Sequence, residues 1–242
     1  MSQEVISELA PGGTLRAAIN MSNPLLVTGS TDTGDPVGVS PDLARAIADR
    51  LGVAVSYVQF ASPGEVADAA DSDVWDIGLI GAEPARAERI AFSSAYVEIE
   101  ATYLVPAGSP FRHIDDVDRP DVRIAVSNRS AYDLYLTRML KHAELHRAKG
   151  LAGTVELFTG NKLDALAGLR PALNEDVKKL PGTRILDGRF TTVQQAVGTQ
   201  LENTKAAAFL QNFVMEVRKS GVVASLIERH GVEGRLLVAS SD

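Results

Sequence analysis

The segment Val74–Tyr96, V-W-D-I-G-L-I-G-A-E-P-A-R-A-E-R-I-A-F-S-S-A-Y, decides how the chain is read. It opens on a short apolar run, Val74 to Ile80, interrupted by one acid at Asp76. A run this short, bounded by turn residues, reads as a strand buried on both faces. Gly81 and Pro84 break the strand, and Arg86 and Arg89 follow. An arginine just past the carboxyl end of a buried strand lies where open α/β sheets take their ligands. Its planar fork of donors suits a carboxylate or phosphate held by two parallel hydrogen bonds. The plain alternative is a surface arginine beside a loop.

Upstream, Leu15–Asn20 reads as a strand, Asn23-Pro24 as a turn, and the Gly/Ser/Thr/Asp-rich stretch 28–36 as a loop. Ser40-Pro41-Asp42 is a helix start, with Ser40 as N-cap, Pro41 in the first turn and an acid behind it. Leu43, Ile47 and Leu51 then share one face, and Gly52 stops the helix. Val53–Phe60 is the next strand, and Ser62-Pro63-Gly64-Glu65 repeats the start signal as a capping box. Strands alternating with helices imply a parallel sheet with helices on its faces. Downstream, strands are predicted at Thr102–Ala107, Arg123–Ser127, Val155–Phe158 and Arg184–Leu186, with a crossing at Val193–Val197. Helices are predicted from Ser130, at Leu163–Leu169, over Thr204–Lys219, and ending near His230.

The bulk numbers restrict the partners. With 242 residues, 45% hydrophobic and a net charge of −7, the chain has the composition of an ordinary folded protein and lacks a basic patch. Nucleic acid and anionic membrane surfaces are therefore not the expected partners. The absence of cysteine removes thiol nucleophiles, disulfides and thiolate metal sites. No apolar run reaches bilayer-spanning length. The first ten residues have neither a basic nor an apolar signal region.

The order of segments resembles the family 3 extracellular solute-binding proteins, the polar-amino-acid receptors of ABC transporters. The resemblance is carried by G-T-L-R-A-A-I-N (13–20), P-V-G-V-S-P-D-L-A-R-A-I-A-D-R-L-G (36–52), W-D-I-G-L-I (75–80), P-A-R-A-E-R-I-A-F-S-S-A-Y (84–96) and M-E-V-R-K-S-G (215–221). It implies an α/β, two-lobe, type II periplasmic-binding-protein-like fold, each lobe a mainly parallel sheet flanked by helices. Lobe one would comprise 1–106 and 196–242, lobe two 107–195, with hinges near 103–107 and 193–197. It further implies that Arg86 pairs with a ligand carboxylate, and that Ser130, opening the first helix of lobe two, also holds it. The physics agrees: a helix N-terminus with a hydroxyl favours an anion. The plain alternative for Ser130 is an N-cap alone.

Four departures from the family pattern bear on the ligand. Gly81 and Glu83 replace the hydroxyl residues of a T-x-T-x-x-R pattern, which sets a carboxylate beside Arg86. Asn23 stands where an aromatic commonly covers the ligand, and Asn20 where an acid ends the first strand. The lobe-two acid that grips an ammonium should follow D-A-x-x, but D-A-L-A here leads into Gly168-Leu169-Arg170. An ammonium without a partner in a closed cleft is costly. Either Glu83 takes the ammonium over, or the ligand is an organic acid or polar neutral molecule; the second account is preferred. Asn20, Asn23, Asn128, Tyr132 and Gln195 supply paired donors and acceptors for either, with Arg170 close by.

An enzyme on this fold, resembling the dienol dehydratases, is the competing class. A carboxylate beside an arginine is a poor general base at neutral pH. No Ser-His-Asp set emerges, and His142 and His146, one helical turn apart, lack an H-E-x-x-H context and read as surface residues. No catalytic residue, metal or cofactor is expected. The expected partners are a small-molecule ligand and an ABC permease, and a monomer is expected. The family resemblance places the protein in the periplasm; a cytoplasmic sensor or scavenger follows if Met1 is the natural start.

Overall fold

All five residues of the Ile77–Gly81 strand are buried, as a strand covered on both faces requires. The computed structural model describes residues 2–240. The chain forms two units, one running to Glu98 and resuming at Gln194, the other spanning Ile99–Val193. Both changes of unit fall inside strands, Ile90–Pro106 and Thr191–Gln200. The lobe limits expected at 106/107 and 195/196 lie eight residues later, at the end of the first strand, and two residues later, inside the second.

In the first unit the strand order is Ala54–Phe60, Thr14–Asn20, Ile77–Gly81, Thr191–Gln200, Ile90–Pro106. The first three are mutually parallel, and Thr191–Gln200 returns antiparallel to Ile77–Gly81. The acid in the apolar run has a structural role. The Asp76 carboxylate, 3% exposed, accepts the Arg16 backbone N–H at 2.7 Å and Arg16 Nη2 at 2.6 Å. Its carbonyl accepts Thr199 Oγ1 at 2.9 Å. These bonds tie the amino ends of the two parallel strands to each other and to the carboxyl end of the returning strand. Trp75 packs with Ala18, Val66, Ile80 and Ile90, and its indole N–H reaches the Val66 carbonyl.

The first long helix starts earlier than its sequence signal. It spans Val39–Leu51 with Gly38 as N-cap, and the Ser40 hydroxyl caps nothing. Ser40 Oγ instead lies 2.8 Å from Tyr96 Oη, both residues buried. A fully buried phenol must find a partner, and Gly38 passes so close to the Leu26 carbonyl that only glycine fits. The predicted cap at Ser62 holds: its Oγ accepts the Glu65 N–H, and Glu65 reaches back to Ala61 N.

The second unit has a sheet core of Arg123–Ser127 between Glu144–Ala148 and Ala165–Leu169, all parallel. Ala165–Leu169 pairs antiparallel with Ala101–Leu104. The two faces carry separate cores. Tyr103, Val105, Ile124, Val126, Ala165 and Ala167 pack with Phe111 and Leu136 on one side. Leu104, Ala125 and Leu166 pack with Phe158, Leu163 and Leu173 on the other. This is the period of two expected of strands buried on both faces.

Three expectations are corrected here. Val155–Phe158 lies in the helix Gly150–Gly160, where Thr154 and Phe158, four apart, are the buried positions. The alternating apolar look of V-E-L-F misleads. Ala165–Leu169 is a strand despite its helix-forming Ala and Leu residues, because it fills the gap between two others. His142 and His146 do not share a helix. The helix Ala131–Met139 ends, the Asp118 carboxylate collects the N–H groups of Lys141, His142 and Ala143, and His146 lies in the Glu144–Ala148 strand.

Candidate functional site

In the first unit three parallel strands end side by side. Asn20 stands opposite Phe60, Ile19 opposite Leu79, and Gln195 opposite Gly81 on the returning strand. Arg86 follows in the single turn Pro84–Ala87 and is only 4% exposed. Its Nη1 donates to the Gly81 carbonyl at 2.6 Å, which draws the guanidinium back over the strand end. The surface-arginine alternative is thereby removed. Glu83, half-buried, occupies the N-cap position of that turn without a side-chain cap bond.

Asn20 and Asn23 are buried and both serve in turns. Asn20 Oδ1 accepts the Ser22 N–H at 3.1 Å and its hydroxyl at 2.7 Å. Asn23 Oδ1 accepts the Leu25 N–H at 3.0 Å. Gln195 is buried with no side-chain hydrogen bond to any described residue. Phe60, partly buried beside Asn20, went unnoticed in the sequence. Counting the Leu15–Asn20 and Val53–Phe60 strands to a common end would have placed an aromatic there.

In the second unit the strand Arg123–Ser127 runs through Asn128 and Arg129 into Ser130, the N-cap of Ala131–Met139. Arg129 makes the turn in left-handed backbone, φ +59°. Ser130 Oγ accepts the Asp133 N–H at 3.1 Å, so its hydroxyl oxygen does cap. The Asp133 carboxylate accepts the Arg129 N–H at 2.7 Å and Arg147 Nε at 3.0 Å, which covers its charge. Burial pushes the Tyr132 phenol up to about 12, opposed by hydrogen bonds from the Ser130 and Ser127 hydroxyls. It is a neutral hydrogen-bonding group at physiological pH. Asn128 is exposed, its backbone N–H bonded to the Ala148 carbonyl.

Arg170 stands at the end of the Ala165–Leu169 strand but is already engaged. Its Nε donates to Glu100 at 2.7 Å and its Nη2 to the Gly188 carbonyl. Arg189 donates to the other Glu100 oxygen at 2.7 Å. The Glu100 carboxyl lies below its usual range, chiefly through Arg189 and against the effect of burial, with Arg170 adding to the lowering. Among the described residues no group of three or more His, Asp or Glu side chains could hold a metal ion. No helix among them is long and apolar enough to cross a membrane.

The family model of the bacterial extracellular solute-binding proteins, family 3, matches residues 15–233. The chain belongs to that family. Solved structures agree on the fold. ArgBP from T. maritima, as a mutant, is 24% identical with a TM-score of 0.74, over 95% of this chain and 100% of that one. The amino acid ABC transporter substrate-binding protein AbpA from Streptococcus pneumoniae, bound to L-arginine, is 19% identical with a TM-score of 0.75, over 93% and 97%. An ancestral amino acid-binding protein, described as a precursor of cyclohexadienyl dehydratase, is 21% identical with a TM-score of 0.74, over 93% and 97%. These likenesses establish the type II periplasmic-binding-protein fold. A search of curated proteins finds no match.

Proposed function

We propose that this family 3 protein is a non-catalytic receptor for a small polar molecule bearing a carboxylate, serving an ABC-type importer. The observation that carries the reading is the gathering of buried Arg86, Asn20 and Gln195 where parallel strands end. Buried polar side chains are uncommon and ordinarily have a structural partner; those of Gln195 have none among the described residues. Arg86 is the carboxylate ligand in this reading, its fork giving two parallel charge-assisted bonds. Within the second unit, taken by itself, Ser130 and the helix start behind it are a further set of donors suited to an anion. The amino acid ABC transporter proteins among the structural relatives support an importer partner.

Calorimetric titration with a panel of small carboxylates, amino acids included, tests this. Arg86→Met should weaken the best ligand at least about hundredfold, as expected when a charge-assisted pair is lost, while the variant stays folded. Undiminished affinity would remove Arg86 from the site. A dehydratase-like enzyme is the second reading, favoured by the likeness to the dehydratase precursor. NMR of the bound ligand over hours separates the two, since a receptor returns it unchanged.

A further inference from the structure

We infer that the first unit recognises hydrogen-bond acceptors, so the ligand is an oxygen-rich organic acid (a 2-keto acid, a 2-hydroxy acid or a dicarboxylate) and not an α-amino acid. This rests on the receptor reading above. Asn20 and Asn23 are each more than nine-tenths buried, 8% and 7% exposed. Each faces a backbone N–H, that of Ser22 or Leu25. A backbone N–H only donates, so the amide atom it meets must be Oδ1. That fixes which way both side chains are turned. Their oxygens are occupied in closing the turn, and their NH2 groups are left over.

Neither Nδ2 has a hydrogen-bond partner among the described residues, and neither is sealed off from solvent. The neighbouring Arg86 guanidinium carries donors alone. Gln195 brings one acceptor and two donors with no partner among the described residues. The one acid in Gly81–Arg86 is Glu83, three residues from that arginine. The atoms that Asn20 and Asn23 have left over from their turns are therefore donors. An ammonium donates three hydrogen bonds and accepts none, so it meets donor against donor at Asn20 and Asn23. A carboxylate, ketone or hydroxyl oxygen accepts from both.

The test is thermal unfolding with matched ligands: glutamate against 2-oxoglutarate and 2-hydroxyglutarate, alanine against pyruvate and lactate, and succinate. A ligand at about a hundredfold over its Kd should raise the Tm by roughly 5 °C or more. The expected result is such a shift from one or more organic acids and under about 1 °C from the amino acids. Asn20→Asp and Asn23→Asp keep an oxygen for the turn while replacing a donor by an acceptor. Each should weaken the organic acid at least about tenfold while the unliganded protein stays folded. A shift from amino acids without one from their counterparts overturns the inference and leaves the receptor reading intact. Undiminished binding by both Asp variants overturns the assignment to these amides. No shift from either class, under conditions where Arg86→Met also changes nothing, overturns the receptor reading and the inference with it.

Discussion

Replacing Tyr96 by Phe and Ser40 by Ala, singly and together, separates two roles for Ser40. Their hydroxyls lie 2.8 Å apart, in residues 0% and 2% exposed. Tyr96→Phe strands the Ser40 hydroxyl, and Ser40→Ala strands the phenol. Each loss should cost about 1–3 kcal/mol, the cost of leaving a buried polar group without its partner. The double variant strands neither, so its cost should fall short of the sum by roughly 1–2 kcal/mol. A helix-capping Ser40 gives different arithmetic. Its removal costs about 1 kcal/mol and simply adds to the Tyr96 change. Urea unfolding of the four proteins, followed by fluorescence, measures the difference. Trp75 is the one tryptophan and lies in the same unit as both residues, so the signal follows that unit. Additivity within about 0.4 kcal/mol would refute the hydrogen bond as the reason Ser40 is there.

Two further outcomes are expected. A Cβ at Gly38 would stand 2.2 Å from the Leu26 carbonyl oxygen, a backbone atom that cannot swing aside. Gly38→Ala should therefore cost above about 3 kcal/mol or prevent folding; an unchanged Tm rejects the close approach. Burial pushes the Asp118 carboxyl up, but the N–H groups of Ala143, Lys141 and His142 more than offset this and hold it below its usual range. A depressed folded-state value gives stability that is full above the unfolded value and lost as pH falls through the folded one. Asp118→Asn should cost about 1 kcal/mol at neutral pH, with the gap to wild type closing as the pH falls below the ordinary aspartate range. A gap that persists in acid would show that the cost is packing and not charge.

The alternation of strands and helices was legible because it depends on local signals. Ser62 before Pro63 and Glu65, and Gly52 after Leu51, report backbone demands that few residues meet. The failures fall where a neighbour decides. A-L-A-G-L is a strand because it completes a sheet between Thr102–Leu104 and Ile124–Ala125, which no local propensity encodes. The turn at His142 exists because Asp118, distant in sequence, supplies one carboxylate to three amides. Ser40 looked like a cap because Pro41 follows it, and the partner that claims it, Tyr96, lies 56 residues on.

The site divides along the same line, with one difference of kind. Arg86 could be placed from sequence because a strand, a break and an arginine sit within ten residues. Arg170 could not be judged, since Glu100 neutralises it through an antiparallel register joining residues seventy apart. The asparagines pose another problem. Turn chemistry and ligand binding stood as alternatives for Asn23, yet a primary amide has two chemically distinct ends. At Asn20 and Asn23 the oxygen serves the turn, and that service turns the NH2 group away from it. If these amides bind the ligand as proposed, the turn does not compete with recognition but orients it. A carboxylate at either position could close the same turn and would then present an acceptor in place of the donor. In the proposed reading, the choice of Asn over Asp at these two turns therefore sets the sign of the hydrogen bonding offered to a ligand.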